Sequence, residues 1–90
     1  MNTNYFYYRN NKYNVTIAYN SSEGYVTYGA SFCRPGDNFT KSLGRKIAEG
    51  RMNSCNKKFV APGTRWMTHE LILTDLEAGE VEYAPRSFKI

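Results

Sequence analysis

From Tyr13 to Asn20 apolar and polar residues alternate, with Tyr13, Val15, Ile17 and Tyr19 on one side and Asn14, Thr16, Ala18 and Asn20 on the other. A period of two marks a half-buried strand. Tyr25 to Cys33 repeats the pattern, with Val26, Tyr28, Ala30 and Phe32 sharing a face. Ser21-Ser22-Glu23-Gly24 between the two runs supplies a hairpin turn. Upstream, Tyr5 to Arg9 is aromatic and strand-like, and Asn10-Asn11 can adopt positive φ, so a third strand can pair ahead of the hairpin.

The period changes after Arg34-Pro35-Gly36. Asp37 or Asn38 is suited to cap a helix. On a helical wheel Phe39, Leu43 and Ile47 fall within about 80° of arc, which predicts the buried stripe. Lys41 and Arg45 lie nearly opposite that stripe, and Glu49 can pair with Arg45 one turn on. Thr40, Gly44 and Ala48 form a third face with almost no side chain. Gly inside a helix costs roughly 1 kcal/mol relative to Ala, so Gly44 calls for close approach of something in return. That something is either a partner's backbone or the chain's own sheet. Gly50 or Asn53 ends the helix.

Ser54 to Lys58 reads as an exposed basic loop, Phe59-Val60 as a short strand and Ala61-Pro62-Gly63-Thr64 as a turn. Trp66 to Leu76 fits two patterns. As a helix it puts Trp66, Ile72, Leu73 and Leu76 along one side. As a strand it runs through Leu76-Glu77-Ala78-Gly79 into the alternating Glu80-Val81-Glu82-Tyr83. The Gly ahead of an alternating run favours strand–turn–strand. Residues 84–90 read as an extended, loosely held tail. The expected order is β-β-β-α-β-β: an α+β fold, an antiparallel sheet of three to five strands with one helix packed on one face. Each element then buries its single apolar side. At 90 residues without an internal repeat or linker, the chain forms a single domain, 1–90.

Composition sharpens this picture in one respect. Aromatic residues reach 16%, with eight Tyr and five Phe. Tyr carries an apolar ring and a polar tip, so it suits half-exposed strands and the rims of binding surfaces. The 41% apolar content excludes a disordered chain. Residues 1–10 hold no apolar leader and no run is long enough to cross a bilayer, so no membrane association is expected. Cys33 and Cys55 do not make a disulfide framework and read as thiols in a reducing cytoplasm. The three N-x-S/T triplets, at Asn14, Asn20 and Asn38, matter only in a secreted chain.

Charge is laid out in blocks. Between Asn38 and Trp66 stand Lys41, Arg45, Lys46, Arg51, Lys57, Lys58 and Arg65 against Glu49 alone, a charge of +6. Between Met67 and Tyr83 stand Glu70, Asp75, Glu77, Glu80 and Glu82 with no Lys or Arg, a charge of −5. A positive block on a short scaffold is the footprint of a protein that meets phosphates or an acidic surface. Lys41, Gly44, Arg45, Lys46, Arg51, Lys57, Lys58 and Arg65 are therefore the candidate binding residues, with Gly44 and Ala48 letting a backbone come close beside Arg45. The alternative is an ordinary solvated helix face. The strands from Tyr13 to Cys33 hold no Lys or Arg, so a sheet reading a DNA groove is not expected.

Catalytic chemistry has little to work with. The only His, His69, is far in sequence from both thiols, and a nucleophile needs its base in hydrogen-bond reach. Two Cys and one His do not supply zinc spacing. The acidic run reads as a solvated edge, and no phosphate-binding loop or dinucleotide fingerprint is present. No enzyme activity, metal or cofactor is expected.

Gly36-Asp37-Asn38-Phe39 through Gly44-Arg45-Lys46-Ile47-Ala48-Glu49-Gly50-Arg51 resembles a stretch of small bacteriophage-encoded accessory proteins, in which a strand and small loop enter a helix of the form G-R-x-I-A-x-G-R. The likeness covers about residues 26–52 and carries over no functional residue. It implies a phage protein in a bacterial host cytoplasm, of the kind that includes anti-CRISPR and other anti-defence factors. The expected function is a non-enzymatic inhibitor that binds a bacterial defence protein or its nucleic acid through the basic helix and loop. A direct nucleic-acid-binding module is the second reading. A sponge for a nucleotide second messenger is the third. It needs a pocket, most readily between copies, so a homo-oligomer belongs to it.

Overall fold

The alternation in the first third of the chain becomes three long strands in a computed structural model that describes residues 3–34, 41–55, 57–78, 81 and 83–85. Strand β1 (Asn4–Arg9) pairs with β2 (Asn14–Ser22), β2 with β3 (Tyr25–Cys33), and β3 with the two-residue β4 (Phe59–Val60). All pairings are antiparallel, and the sheet order is β1-β2-β3-β4. Helix α1 (Lys41–Asn53) lies between β3 and β4 in the chain, and α2 (Arg65–Glu77) follows β4. The α+β class and the antiparallel sheet are as expected. The helix cap expected at Asp37 or Asn38, and Phe39 of the expected stripe, lie outside the described residues.

The hairpin register is set by Glu23 and Gly24. Both have positive φ (55° and 82°), the handedness a two-residue loop needs to match strand twist. The first turn closes differently from the expectation. The Asn10 side-chain oxygen accepts from the backbone N–H groups of Lys12 and Tyr13, each at 2.8 Å, so positive φ at Asn10 or Asn11 is not used.

The second half of the chain departs from the sequence reading. Residues 65–77 are helix, not strand–turn–strand, and the order is β-β-β-α-β-α. Thr64 caps α2 by accepting from Met67 N–H at 3.4 Å. Thr68, Ile72 and Leu76, four residues apart, are the side chains it buries. Val81 and Tyr83 lie in no strand, and Glu80 and Glu82 lie outside the described residues. Ala84, in the tail read as loose, is buried.

Both faces of the sheet are therefore covered. Ile72 and Leu76 of α2 pack on Val15, Ile17, Tyr19, Val26 and Tyr28, with Phe6 and Phe59 at the margins. Helix α1 lies on the opposite face, the one read as polar, where Thr16, Ala18, Asn20 and Ser31 are buried beneath it. Its contact side is the small stripe: Gly44, Ala48 and, one turn on, Met52. A Cβ on Gly29 would overlap the Ala48 carbonyl oxygen and the Met52 nitrogen, and one on Gly44 would sit 2.8 Å from Thr16 Oγ1. The compensation for Gly44 is thus the chain's own sheet. The expected core stripe is turned outward as a consequence, leaving Leu43 56% and Ile47 39% exposed.

Candidate binding surface

On β1 the side chains alternate, so Phe6 and Tyr8 join the core under α2 while Tyr5 and Tyr7 lie on the α1 side. Arg9 follows at the same parity and is exposed. Lys41, Arg45 and Glu49 stand on successive turns of α1 and reach these tyrosines. Arg45 Nη1 donates to the Tyr7 hydroxyl at 3.1 Å, and its guanidinium is 6.0 Å from the Tyr5 ring centre. Lys41 Nζ is 5.2 Å from the centre of the Tyr7 ring. A cation over an aromatic face is held there by the ring quadrupole, so both charges have preferred positions. The Tyr5 hydroxyl donates to Glu49 Oε2 at 2.8 Å, and that hydrogen bond first, then burial, raises the Tyr5 pKa. A shallow depression at the end of this patch is lined by Tyr7, Tyr8, Arg9, Asn14, Val15 and Lys41.

The other basic residues do not join it. Arg51, on the far flank of α1, donates from Nη1 to the Ala30 carbonyl at 2.8 Å and lies 4.4 Å from the Tyr83 ring centre. The Tyr83 hydroxyl in turn accepts from Ala30 N–H at 3.1 Å. Together Arg51 and Tyr83 occupy both backbone groups of Ala30, on β3 beyond the short reach of β4, whose pairing ends at Val26. Burial raises the Tyr83 pKa most, and the Ala30 hydrogen bond and Arg51 charge oppose that. Lys57 pairs with Asp75 at 3.1 Å. Lys58 rims a separate depression near Asn20, Tyr25 and Cys55. Arg65 begins α2, across the sheet from α1, and Lys46 points outward beside Leu43 and Ile47. Gly44 is buried against Thr16 and Ser31, so it offers no surface to a partner. The eight residues named from sequence are thus dispersed over several sides of the molecule, because the helix that carries five of them turns its two flanks toward different parts of the sheet. Lys41 and Arg45 remain adjacent. Tyr5, Tyr7 and Arg9 were missed. Their common parity on β1 was legible, but nothing in the sequence said that α1 would lie over that side.

Of the acidic run, Glu70 and Glu77 are exposed and Asp75 is drawn inward, while Glu80 and Glu82 lie outside the described residues. Asp75 is 12% exposed and accepts from the Tyr28 hydroxyl at 2.5 Å as well as from Lys57. Burial and the Asp75 hydrogen bond push the Tyr28 pKa far above its ordinary value. His69 stacks on Phe6 with ring centres 3.8 Å apart, and its Nε2 is 3.2 Å from the Tyr19 hydroxyl. Burial lowers its pKa, with a smaller contribution from Arg65. The thiols are engaged elsewhere, with Cys33 on the Arg34 carbonyl and Cys55 on the Lys57 carbonyl. Among the described residues no group of three His, Cys, Asp or Glu could hold a metal, and no helix is long and apolar enough to cross a membrane.

Compared with known proteins, this chain matches no family model, no curated protein and no solved structure.

Proposed function

We propose that this protein is a non-enzymatic, phage-type inhibitor that occupies an anionic site on a bacterial defence complex, working in the host cytoplasm. The patch of Lys41, Arg45, Tyr5, Tyr7 and Arg9 makes the contact. The observation that carries this reading is the two cations held over exposed or half-exposed tyrosine rings, at 5.2 and 6.0 Å. Positioned cations lose less freedom on binding than free ones, and Tyr and Arg are the residue types that concentrate binding energy at interfaces. The partner is either a protein surface rich in carboxylates or the complex's bound nucleic acid, both of which such a patch complements. Arg51, Lys57 and Arg65 are bystanders in this reading.

The test is capture from a defence-carrying bacterial lysate, with and without nuclease treatment. A partner held by the wild type and lost with Lys41→Glu/Arg45→Glu, at unchanged circular dichroism, supports the proposal. Equal capture by the double variant ends it.

Direct nucleic-acid binding is the second reading, favoured by the exposed Tyr7 ring beside Lys41 and Arg9, an arrangement on which a base can stack while its phosphates meet the cations. Gel shifts with single strands and duplex at two salt concentrations separate the readings. Affinity falling steeply with salt supports the second. The depressions beside Lys58 and beside Lys41 are open to solvent and give a nucleotide little enclosure, so the sponge reading needs a pocket formed between copies.

A further inference from the structure

We propose that the outward side of α1 in one copy of this chain docks into the groove beside α2 of a second copy, so that the protein assembles head to tail. The groove is lined by Phe59, Pro62, Trp66, Met67 and Leu71, with Glu70 on its rim. It is apolar and open, and Trp66 stands 66% exposed at its edge. The outward side of α1 is a short aliphatic stripe, Leu43 and Ile47 one turn apart, with Lys46 beside it. Exposed aliphatic and indole groups at helical spacing on two separate elements are more than scattered surface apolarity.

Charge decides which surface meets which. Among the described residues neither Lys46 nor Glu70 has an ion-pair partner. Packing α1 on α1 would set Lys46 near its own copy, and packing α2 on α2 would do the same for Glu70. The unlike pairing sets Lys46 beside Glu70, opposite in charge. An antiparallel crossing that puts Lys46 beside Glu70 also puts Gly50 beside Trp66, since each lies four residues further along its own helix, in opposite directions. Gly50 is exposed, and a Cβ there would meet nothing within 4 Å inside the molecule. Its helix cost has no compensation in a single copy, in contrast to Gly44. In the assembly the missing side chain gives the indole a flat place on the helix.

The two surfaces lie on opposite sides of the sheet. Two copies cannot satisfy both contacts with each other, so the assembly is a ring of three or more, or an open stack. A single helix in a groove is a small interface, so association is weak and concentration-dependent.

The experiment is light scattering and sedimentation of the purified chain from micromolar to millimolar concentration. The mass is expected to rise past that of a dimer. Lys46→Glu and Glu70→Lys should each move the association midpoint about tenfold upward in concentration, and the combined K46E/E70K variant should restore it, because the pair is rebuilt with reversed sign. Trp66→Ala should weaken assembly with its helical signal intact. A monomer at every concentration, a mass that stops at dimer, or a double variant no better than either single one overturns the proposal.

Discussion

The two faces of the sheet are built on opposite rules. Under α2 the sheet presents large side chains, Val15, Ile17, Val26 and Tyr28, and the helix adds Ile72 and Leu76. That side is held by apolar volume. Under α1 the floor is Thr16, Ala18, Gly29 and Ser31, and the helix meets it with Gly44 and Ala48. Here little apolar area is buried per residue, and the gain comes from backbone lying close to backbone at near-crystalline density. Even the buried Thr16 Oγ1, without a hydrogen-bond partner among the described residues, belongs to this closeness, since it lies against Gly44. A face of large side chains should tolerate loss of volume badly, and a face of small ones should tolerate gain of volume badly.

The largest effect should come from Gly29→Val, which drives a side chain into the backbone of α1. We expect more than about 3 kcal/mol of lost stability by urea unfolding, a large share of the roughly 5 kcal/mol a domain this small can have. Ile72→Ala tests the other face by removing volume, with an expected loss of about 3 kcal/mol. If Gly29→Val proved milder than Ile72→Ala, the contrast between the faces would not hold. Gly44→Ala sharpens it. In the wild type the added methyl is expected to cost about 1 kcal/mol net of its better helix propensity. On a Thr16→Ala background the same change should be neutral or favourable, which a double-mutant cycle reads directly. Gly50→Ala, on the outward side of the same helix, should instead stabilise a single copy by about 0.5–1 kcal/mol, seen as a higher Tm at low concentration.

Protons act mostly on the α2 face and give the smallest effects. The His69 pKa lies below its ordinary 6.5, so the contribution of the neutral ring is complete above that value and is lost as pH falls through the folded pKa. The urea midpoint should drop between pH 7 and pH 5 by more in the wild type than in His69→Gln. The Tyr28 pKa lies above its ordinary 10.0, so its contribution is complete below that and is lost as pH rises further. Tyr28→Phe should flatten that alkaline limb.

Part of this was plain in the sequence. Alternation from Tyr13 to Cys33 fixed two strands and their shared apolar face, because a side-chain period of two leaves no other assignment. Gly44 was conspicuous enough to demand a close neighbour. The helix over 65–77 was not legible, since Trp66, Met67, Leu71 and Leu73 spread apolar groups around α2 and neither period stood out. The fold divides the basic block for a related reason. Charges contiguous in sequence sit on a helix whose two flanks bend toward different parts of the sheet, so Arg51 meets Ala30 and Tyr83 while Arg45 meets Tyr5 and Tyr7.

Sequence by itself determined the strands, the hairpin and the existence of α1, since these depend on local period and turn chemistry. It also determined that positive charge would be plentiful near that helix. Tertiary structure alone decided which side of α1 turns inward. A hydrophobicity pattern ranks residues by their transfer from water and so favoured Leu43 and Ile47. The fold instead ranked them by how closely two backbones can approach, and on that measure Gly44 and Ala48 win.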